Sequence, residues 1–398
     1  MAFRMLHLVL TYVLCMPFVI LVSPAELGKM SIHDYINYVN PPAVHKYKHA
    51  NGDSILCVKF TDQISLRPEK QQYGYDKKNS NIGWRDTQAG ESPPNISGSG
   101  LEKRCPEGTV SVREIKHEHV KRAGSVNMFL RRKMVESSNQ VHDYAVLQYS
   151  SDGIYSAQGR FNIWEPYVAP NDDFSLGQIW LVQDQGLPTT QTIEAGWEVY
   201  PAHYGDSRPR LFVYWTNDDY KSTGCRNVDC PGFVLSNGAQ NYLGQPIDQV
   251  SEDGKDQIDK LISIKREILQ GEAIWSLYIE DNVVGYWPGS LFSSLAESTN
   301  VVQYGGEVLH STNDIGTPFS KTHMGSGHFS QEGFPKAAYI RDIQMHNSNN
   351  ALVYPQEIII VGKPLCYNLT LGIDNTNSEW GHYMFFGGPG GDNPSCLN

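Results

Sequence analysis

From residue 143 onward, the chain consists largely of short stretches rich in β-forming residues and separated by turn residues. These stretches are 144–149, 156–164, 177–183, 191–200, 210–216, 258–268, 274–279, 283–287, 301–309, 337–345 and 357–361. The segments 270–272 and 281–282 have the composition of hairpin turns. Many short strands with almost no helical period favour antiparallel sheets packed face to face. We therefore predict an all-β fold, with an antiparallel β-sandwich as the larger domain.

The first 25 residues predict a targeting segment. Arg4 precedes an uncharged apolar run over residues 5–22, and small residues follow at Ser23 and Ala25. This pattern is typical of a secretory signal peptide. The alternative, a membrane anchor, is less favoured because the run is barely long enough to span a bilayer. We expect a secreted protein, located in the extracellular space or apoplast, or in the vacuole by the secretory route, and no membrane association after signal removal.

The region between the signal and the strands predicts a smaller domain. Residues 31–39 have a helical pattern that stops at Pro41-Pro42. The stretch 134–142 is polar, which indicates a domain boundary. We expect a signal peptide over 1–25, a smaller mixed pro-domain over 26–138 and the larger β-sandwich domain over 139–398.

The cysteine pattern agrees with export. Six cysteines follow the predicted signal, and an even number in an exported chain indicates disulfide bonds. The sequence leaves all possible pairings open. Their grouping along the chain suggests three pairs: Cys57 with Cys105, Cys225 with Cys230, and Cys366 with Cys396. Sequons at Asn95 and Asn368 are compatible with a glycosylated product.

The net charge of −11 is unevenly distributed. Residues 26–135 carry 18 Lys and Arg against 12 Asp and Glu, whereas residues 136–398 carry 13 against 31. The basic part could be a solvated surface or a nucleic-acid patch, but an exported chain without a reader motif fits nucleic acid poorly. We hypothesise that the basic pro-domain docks on the acidic domain as an intramolecular inhibitor, and that acid weakens the docking.

Strand alternation places two glutamates on polar faces. In the stretch 191–200, Glu194 shares its face with Gly196 and lies opposite the apolar residues. In 301–309, Glu307 shares its face with Gln303 and Gly305. A glycine lets another backbone approach a sheet closely, as a groove for an extended peptide requires. The simpler interpretation is a pair of ordinary solvent-facing glutamates beside glycine bulges.

Other chemistry-bearing patterns are weak. The sequence has no G-x-S-x-G elbow, no H-E-x-x-H motif and no glycine-rich phosphate loop between a strand and a helix. His323 and His328 lack a recognisable third ligand, and Cys225 with Cys230 has no partner pair for zinc. We expect neither a metal nor a cofactor.

Several ordered motifs resemble the neprosin family of plants. They are Thr192-Ile193-Glu194-Ala195-Gly196-Trp197-Glu198-Val199, Leu211-Phe212-Val213-Tyr214-Trp215-Thr216, Thr223-Gly224-Cys225, Gly285-Tyr286-Trp287-Pro288, Gln303-Tyr304-Gly305-Gly306-Glu307-Val308 and Met324-Gly325-Ser326-Gly327-His328-Phe329. The N-terminal part is similar to the family's activation peptide at Gly52-Asp53 before Cys57, and at Cys105-Pro106-Glu107-Gly108-Thr109-Val110.

The resemblance implies a glutamic-type endopeptidase. It implies a β-sandwich with two catalytic glutamates in a groove, an acid-activated zymogen, a polypeptide substrate and cleavage after proline. By motif, the catalytic pair falls on Glu194 and Glu307. Gly196, Gly305, Tyr214 and Gln303 are candidates for the substrate groove. The alternatives are a carbohydrate-active sandwich, which also uses paired carboxylates, and a non-catalytic wall-binding protein.

Overall fold

The computed structural model describes residues 23–66, 105–130, 140–169, 173–183, 190–237, 242–311, 320–376 and 379–397. Most of the predicted signal peptide, the sequon at Asn95 and most of the predicted boundary at 134–142 lie outside these residues. In the part of the chain that the structure describes, no helix is long and apolar enough to cross a membrane.

The N-terminal part combines short helices with a small antiparallel sheet. Its elements are α1 (Pro24–Leu27), α2 (Ile32–Val39), β1 (Ala43–Lys48), β2 (Ser54–Lys59), β3 (Thr109–Arg113), α3 (His117–Arg122) and α4 (Val126–Leu130). The predicted helix is confirmed as α2. Ser31 caps it by accepting a hydrogen bond from the backbone N–H of Asp34. Strand β2 lies between β1 and β3, and the part is mixed in structure, as expected.

The larger part is made of antiparallel strands. They are β4 (Gln140–Asn162), β5 (Phe174–Gln183), β6 (Gln191–Val199), β7 (Arg210–Thr216), β8 (Cys225–Arg226), β9 (Val234–Leu235), β10 (Asp259–Leu269), β11 (Glu272–Ile279), β12 (Asn282–Pro288), β13 (Thr299–Ser311), β14 (Ala338–Asn347), β15 (Leu352–Val353), β16 (Gln356–Val361), β17 (Asn368–Ile373) and β18 (His382–Gly387). A short helix, α5 (Pro201–Tyr204), follows β6.

Single helical turns of the 3₁₀ type join several of these elements. They are Phe60–Asp62, Ile64–Leu66, Gly289–Leu291, Ser294–Ala296, Ser330–Glu332, Gly390–Asp392 and Pro394–Leu397. The hairpin turn predicted at 270–272 is present between β10 and β11. Gln270 and Gly271 both have positive φ, which is the backbone conformation of a type I′ hairpin turn. The turn predicted at 281–282 lies one residue earlier, at Glu280 and Asp281, because Asn282 already pairs with Ile279 as the first residue of β12.

Strand β4 connects two layers because its halves pair with different strands. Its first half lies between β13 and β16, so that one layer has the order β8-β7-β6-β5-β13-β4-β16. Its second half lies between β10 and β14, and the other layer has the order β9-β12-β11-β10-β4-β14-β18-β17. All of these pairings are antiparallel, so the all-β prediction is confirmed.

The core lies between the two layers. Tyr304 on β13 is fully buried, and its ring packs against Phe161 of β4 with centroids 6.4 Å apart. Its hydroxyl donates to the carbonyl oxygen of Gln158 at 3.1 Å. Ile193, Ala195, Trp197 and Val199 of β6 belong to the same core. The apolar face predicted for this strand is therefore confirmed.

Disulfide bonds join the pairs that the grouping of cysteines suggests. The bonds are Cys57–Cys105, Cys225–Cys230 and Cys366–Cys396. The first ties β2 to the segment that leads into β3, the second closes a small loop after β7, and the third fixes residue 396 to the segment before β17.

Candidate active site

One face of the first layer carries both candidate glutamates. Strand β5 lies between β6 and β13, with Trp180 opposite Glu194 and Leu176 opposite Glu307. The two glutamates are thus two strands apart, about 10 Å across the sheet, and offset by four residues along it. Gln178 lies between them in register. We call the face that bears Glu194, Gln178, Gln303 and Glu307 the acid face.

Glu194 is fully buried and receives neutral hydrogen-bond donors. The Thr192 hydroxyl donates to Oε1 at 2.8 Å, and the Tyr220 hydroxyl donates to the same oxygen at 2.6 Å. The Gln178 amide donates to Oε2 at 3.2 Å. A carboxyl group set among hydroxyl donors has a fixed orientation, and the hydroxyl groups can also accept when the carboxyl holds a proton.

Glu307 is 2% exposed and has a different kind of partner. Nδ1 of His142 on β4 lies 2.5 Å from Oε1 of Glu307. The imidazole ring stacks on Tyr144 and makes an edge contact with Phe174, so its plane is fixed by two aromatic rings. The carboxylate of Glu307 is therefore oriented by a group that is cationic when protonated.

The solvent-facing interpretation of the two glutamates is wrong. Alternation correctly puts them opposite the core, but both glutamates are buried there, and apolar residues of the same face flank them in a second cluster. Its buried members are Val146, Phe174, Leu176, Trp180, Val182, Phe212, Tyr214 and Leu309. Alternation identifies which residues share a face, whereas burial of that face depends on what packs against it.

Gly196 and Gly305 stay predicted groove residues, and the structure shows what a side chain would meet at each position. A Cβ atom on Gly196 would lie 2.1 Å from the carbonyl oxygen of Gly177, and one on Gly305 would lie 2.2 Å from that of Ala145. The neighbouring strands occupy the space beside both glycines. Gly196 therefore lets β5 pack closely against β6, and Gly305 lets β4 pack closely against β13.

The two other groove candidates lie on the acid face at different depths. Tyr214 is 3% exposed, stands opposite Glu194 and packs near Tyr220 with ring centroids 5.8 Å apart. Gln303 is half-buried, and its amide donates to Oε1 of Gln148 at 2.8 Å. Tyr214 therefore belongs to the surroundings of Glu194, whereas Gln303 belongs to the part of the face nearer β4.

Sequence reasoning missed three residues that contact the glutamates. Gln178 is a polar residue on an otherwise apolar strand face, a signal that alternation of β5 could have found. Tyr220 lies in a loop after β7 with positive φ, where periodicity gives no signal. His142 lies near the start of β4 and is the last residue of the predicted boundary stretch 134–142. Only the pairing of β4 with β13 brings it to Glu307.

A second buried glutamate on β6, Glu198, lies in a charged environment. Its Oε1 is 3.1 Å from Nε of Arg226 and accepts a hydrogen bond from the Tyr204 hydroxyl at 2.7 Å. Close by, His203 Nε2 lies 3.2 Å from Asp229 Oδ2. We call Glu198, Arg226, Tyr204, His203 and Asp229 the charged layer.

The His203–Asp229 pair has perturbed acidity on both sides. Burial, followed by the charge of Arg226, holds the pKa of His203 well below its ordinary value. Burial raises the pKa of Asp229 to about 7, against the opposing effect of nearby arginines. Both shifts favour the neutral forms of the two groups.

The N-terminal part meets the sheet at this charged layer. Asp53 Oδ2 accepts from Nη1 of Arg210 on β7 at 2.9 Å, and Asp53 Oδ1 lies 3.6 Å from Arg113 Nε. Burial alone would raise the pKa of Asp53, but Arg210 and then Arg113 lower it. Phe129 of α4 stacks on His203 with centroids 4.4 Å apart. In the Asp53–Arg210 pair the N-terminal part supplies the carboxylate and the sheet supplies the cation. This is the reverse of the net charges, since the N-terminal part is basic overall and the larger part is acidic.

The remaining predicted positions lie away from the acid face. His323 and His328 are partly exposed and lie near carboxylates, at 3.4 Å from Asp392 and 2.9 Å from Glu332 respectively. Among the residues that the structure describes, no cluster of three or more His, Cys, Asp or Glu is placed to hold a metal ion. The Asn368 side chain accepts from the N–H of Ser330 and donates to Gln331.

Comparison with solved structures finds similarity to two structures of scytalido-glutamic peptidase. One contains a transition state analog inhibitor, and its match has 10% identity and a TM-score of 0.32 over 62% of this chain and 98% of the other. The second, with a peptide-based transition state analog, has 9% identity and a TM-score of 0.32 over 63% and 99%.

A third similar structure is that of SCP-B, a member of the Eqolisin family of peptidases, in complex with the tripeptide Ala-Ile-His. This match has 9% identity and a TM-score of 0.29 over 62% of this chain and 97% of the other. The Neprosin family model matches residues 171–389, more than half of the chain, and these residues include both glutamates of the acid face. The chain therefore belongs to the Neprosin family.

Proposed function

We propose that the protein is a secreted, acid-activated endopeptidase that hydrolyses peptide bonds with Glu194, Glu307 and a water molecule. The observation that carries the proposal is the acid face itself. Two glutamates that are at most 2% exposed share this face, one beside neutral donors and the other beside an imidazole. Buried carboxyl groups with contrasting partners are the usual basis for separate acid and base roles.

The proposed reaction needs one ionised and one protonated carboxyl group. The ionised carboxylate takes a proton from water, whose oxygen attacks the scissile carbonyl carbon. The protonated carboxyl donates to the carbonyl oxygen and stabilises the tetrahedral intermediate. The C–N bond then breaks, the proton taken from water passes to the leaving amine, and the former carbonyl oxygen returns its proton to the carboxylate that donated it. No covalent intermediate with the enzyme forms, and the products are a carboxylic acid and an amine.

We further propose that the N-terminal part inhibits the peptidase until it is removed. Its support is the position of Leu130, a residue of the predicted pro-domain, beside Glu194. Leu130 lines the same small pocket as Tyr214 and Tyr220, and the Tyr220 hydroxyl bonds Glu194. A peptide substrate that approaches Glu194 from this side would have to displace Leu130.

The secreted location and the preference for proline have different support. Three disulfide bonds favour an oxidising compartment and hence export. Cleavage after proline is proposed from the family resemblance alone.

The experiment is to express the exported chain, acidify it, and map by mass spectrometry both its self-cleavage and its cuts in a denatured test protein. The matched control is the double variant Glu194→Gln, Glu307→Gln. Cuts made by the wild type and absent from the control support the proposal, and cuts clustered after proline extend it. Hydrolysis of a wall polysaccharide without any protein cleavage would favour a carbohydrate-active enzyme. Wall binding that survives in the double variant, with no turnover at any pH, would favour a binding protein.

A further inference from the structure

We infer that His142 is a positioning residue that keeps Glu307 ionised in acid, so that Glu307 is the base and Glu194 the acid of the proposed reaction. The inference rests on the proposed function and assigns roles that the sequence leaves open. Its starting point is the 2.5 Å contact between His142 Nδ1 and Glu307 Oε1.

The contact is built into the sheet. His142 stands opposite Leu309, and Glu307 stands opposite Tyr144, so the histidine and the glutamate are diagonal neighbours on paired strands. The His142 side chain is 13% exposed, and that of Glu307 is 3% exposed. Phe174 and Tyr144 hold the imidazole plane. Little water screens the pair, so a charge on His142 acts strongly on the carboxylate.

The other ionisable groups near His142 leave this pairing intact. Tyr144 is its neighbour on β4, and Phe174 of β5 lies between it and Tyr200. Asp143 and His310 lie on the opposite face of β4 and β13, where Asp143 contacts His310 at 3.5 Å and Lys363 at 3.0 Å. Glu307 is therefore the carboxylate that His142 contacts on the acid face.

The consequence is an asymmetry between the two glutamates. An imidazole is cationic at the acidic pH proposed for the reaction, and a cation in contact with a carboxylate favours its ionised form. Glu194 instead lies among hydroxyl groups that donate to an anion and accept from a carboxylic acid. In the proposed reaction Glu307 is therefore the group placed to take a proton from water, and Glu194 is the group placed to donate one.

The first test is the pH profile of kcat/KM in His142→Gln and His142→Lys, with Tyr278→Phe as a variant remote from the acid face. His142→Gln removes the cation and should lower kcat/KM about tenfold or more. It should also move the acidic limb of the profile toward higher pH by about one unit. The lysine variant, which retains a cation, should keep the limb near its wild-type position. Loss of activity in both variants with an unmoved limb would mean that His142 is merely structural and would overturn the inference.

A second readout does not depend on activity. In histidine NMR spectra of the full chain, with the signal of His142 identified by its loss in His142→Gln, the ring should stay protonated to a higher pH in the wild type than in Glu307→Gln, by about one unit. Equal midpoints would refute the coupling even in a protein that cleaves peptides. Unequal midpoints in a protein without cleavage would instead refute the proposed function and leave the pairing of the two residues supported.

Discussion

Strand β6 carries two buried glutamates on one face, four residues apart, and their surroundings differ. Glu198 belongs to the charged layer, where Arg226 neutralises it at 3.1 Å. Glu194 belongs to the acid face, where hydroxyl and amide groups contact it. A buried carboxylate fixed by an arginine stays ionised and serves the fold. A buried carboxyl among neutral donors can change its protonation state, which acid–base chemistry requires.

The comparison predicts opposite outcomes for the same substitution at the two positions. Glu198→Gln leaves the Arg226 charge buried without its carboxylate, so the free energy of unfolding should fall by about 3–5 kcal/mol. Glu194→Gln replaces an acceptor by an amide that can still bond its neighbours and should cost about 1 kcal/mol or less. Guanidinium unfolding followed by tryptophan fluorescence measures both values. Equal losses would mean that the two glutamates do not differ in role.

The contact between the N-terminal part and the sheet should depend on Asp53. Asp53→Asn removes the charge that pairs with Arg210 at 2.9 Å and should lower the free energy of unfolding by about 2–3 kcal/mol. Glu114→Gln is the control, because the Glu114–Lys46 pair lies at the surface and is expected to contribute under about 1 kcal/mol. Should both substitutions have the same small effect, the Asp53–Arg210 pair does not hold the two parts together.

The acid-face donor Tyr220 should affect activity without affecting stability. Tyr220→Phe removes the hydroxyl that lies 2.6 Å from Glu194 and should lower kcat/KM about tenfold, or about 1.4 kcal/mol. Tyr278→Phe is the matched control, because the Tyr278 hydroxyl also bonds a glutamate, Glu267. Both of these residues lie on the β10–β11 hairpin and not on the acid face. Steady-state kinetics on one peptide compares them, and an equal effect in both variants would argue against a role for Tyr220.

The N-terminal contact should also weaken in acid through His119 on α3. Burial, followed by Arg113 and Arg122, lowers the pKa of His119 to about 3. The unfolded chain binds this proton near pH 6.5, so the stability contributed above pH 6.5 is lost as the pH falls from 6.5 toward 3. His203, also with a lowered pKa, acts in the same direction. Asp229, whose pKa is raised, acts in the opposite direction. Its contribution to folding stability is present at low pH and is lost as the pH rises through 7.

His119→Gln removes one of these titrations. The difference in Tm between pH 7 and pH 4 should therefore shrink by roughly 2 °C relative to the wild type. His117→Gln, which changes an exposed histidine two residues away, should leave the difference as it is. Calorimetry at the two pH values measures this difference in Tm. If the difference is the same in the His119 variant as in the wild type, His119 does not contribute to the loss of stability in acid.

The sequence predicted the strands better than the environment of their side chains. Alternation placed Glu194 and Glu307 opposite the core, because that pattern is local to each strand. It could not show that both glutamates would be buried, because the apolar residues beside them on that face, such as Leu176 and Trp180 of β5, come from a different strand. The close strand packing at the two glycines was not predicted for the same reason. The backbone that approaches Gly196 and Gly305 is that of the adjacent strands, which only the register reveals.

The contacts of the glutamates depended on topology that the sequence does not state. His142 and Glu307 are 165 residues apart in the chain, and the pairing of β4 with β13 joins them. Strands β17 and β18 were not predicted; each contains a glycine and β17 begins with Asn368, and both residue types are depleted in strands. The family resemblance supplied what local patterns could not, namely the prediction that the two glutamates act together.

The central claim is that Glu194 and Glu307 together hydrolyse peptide bonds. Its most direct test is kcat/KM on one peptide for Glu194→Gln, Glu307→Gln and the exposed control Glu297→Gln, measured on acid-activated chains whose folding is verified by calorimetry. We predict a loss of at least about a thousandfold for each acid-face variant, and wild-type activity for Glu297→Gln. Full activity in either of the two acid-face variants, in a folded chain, would contradict the claim.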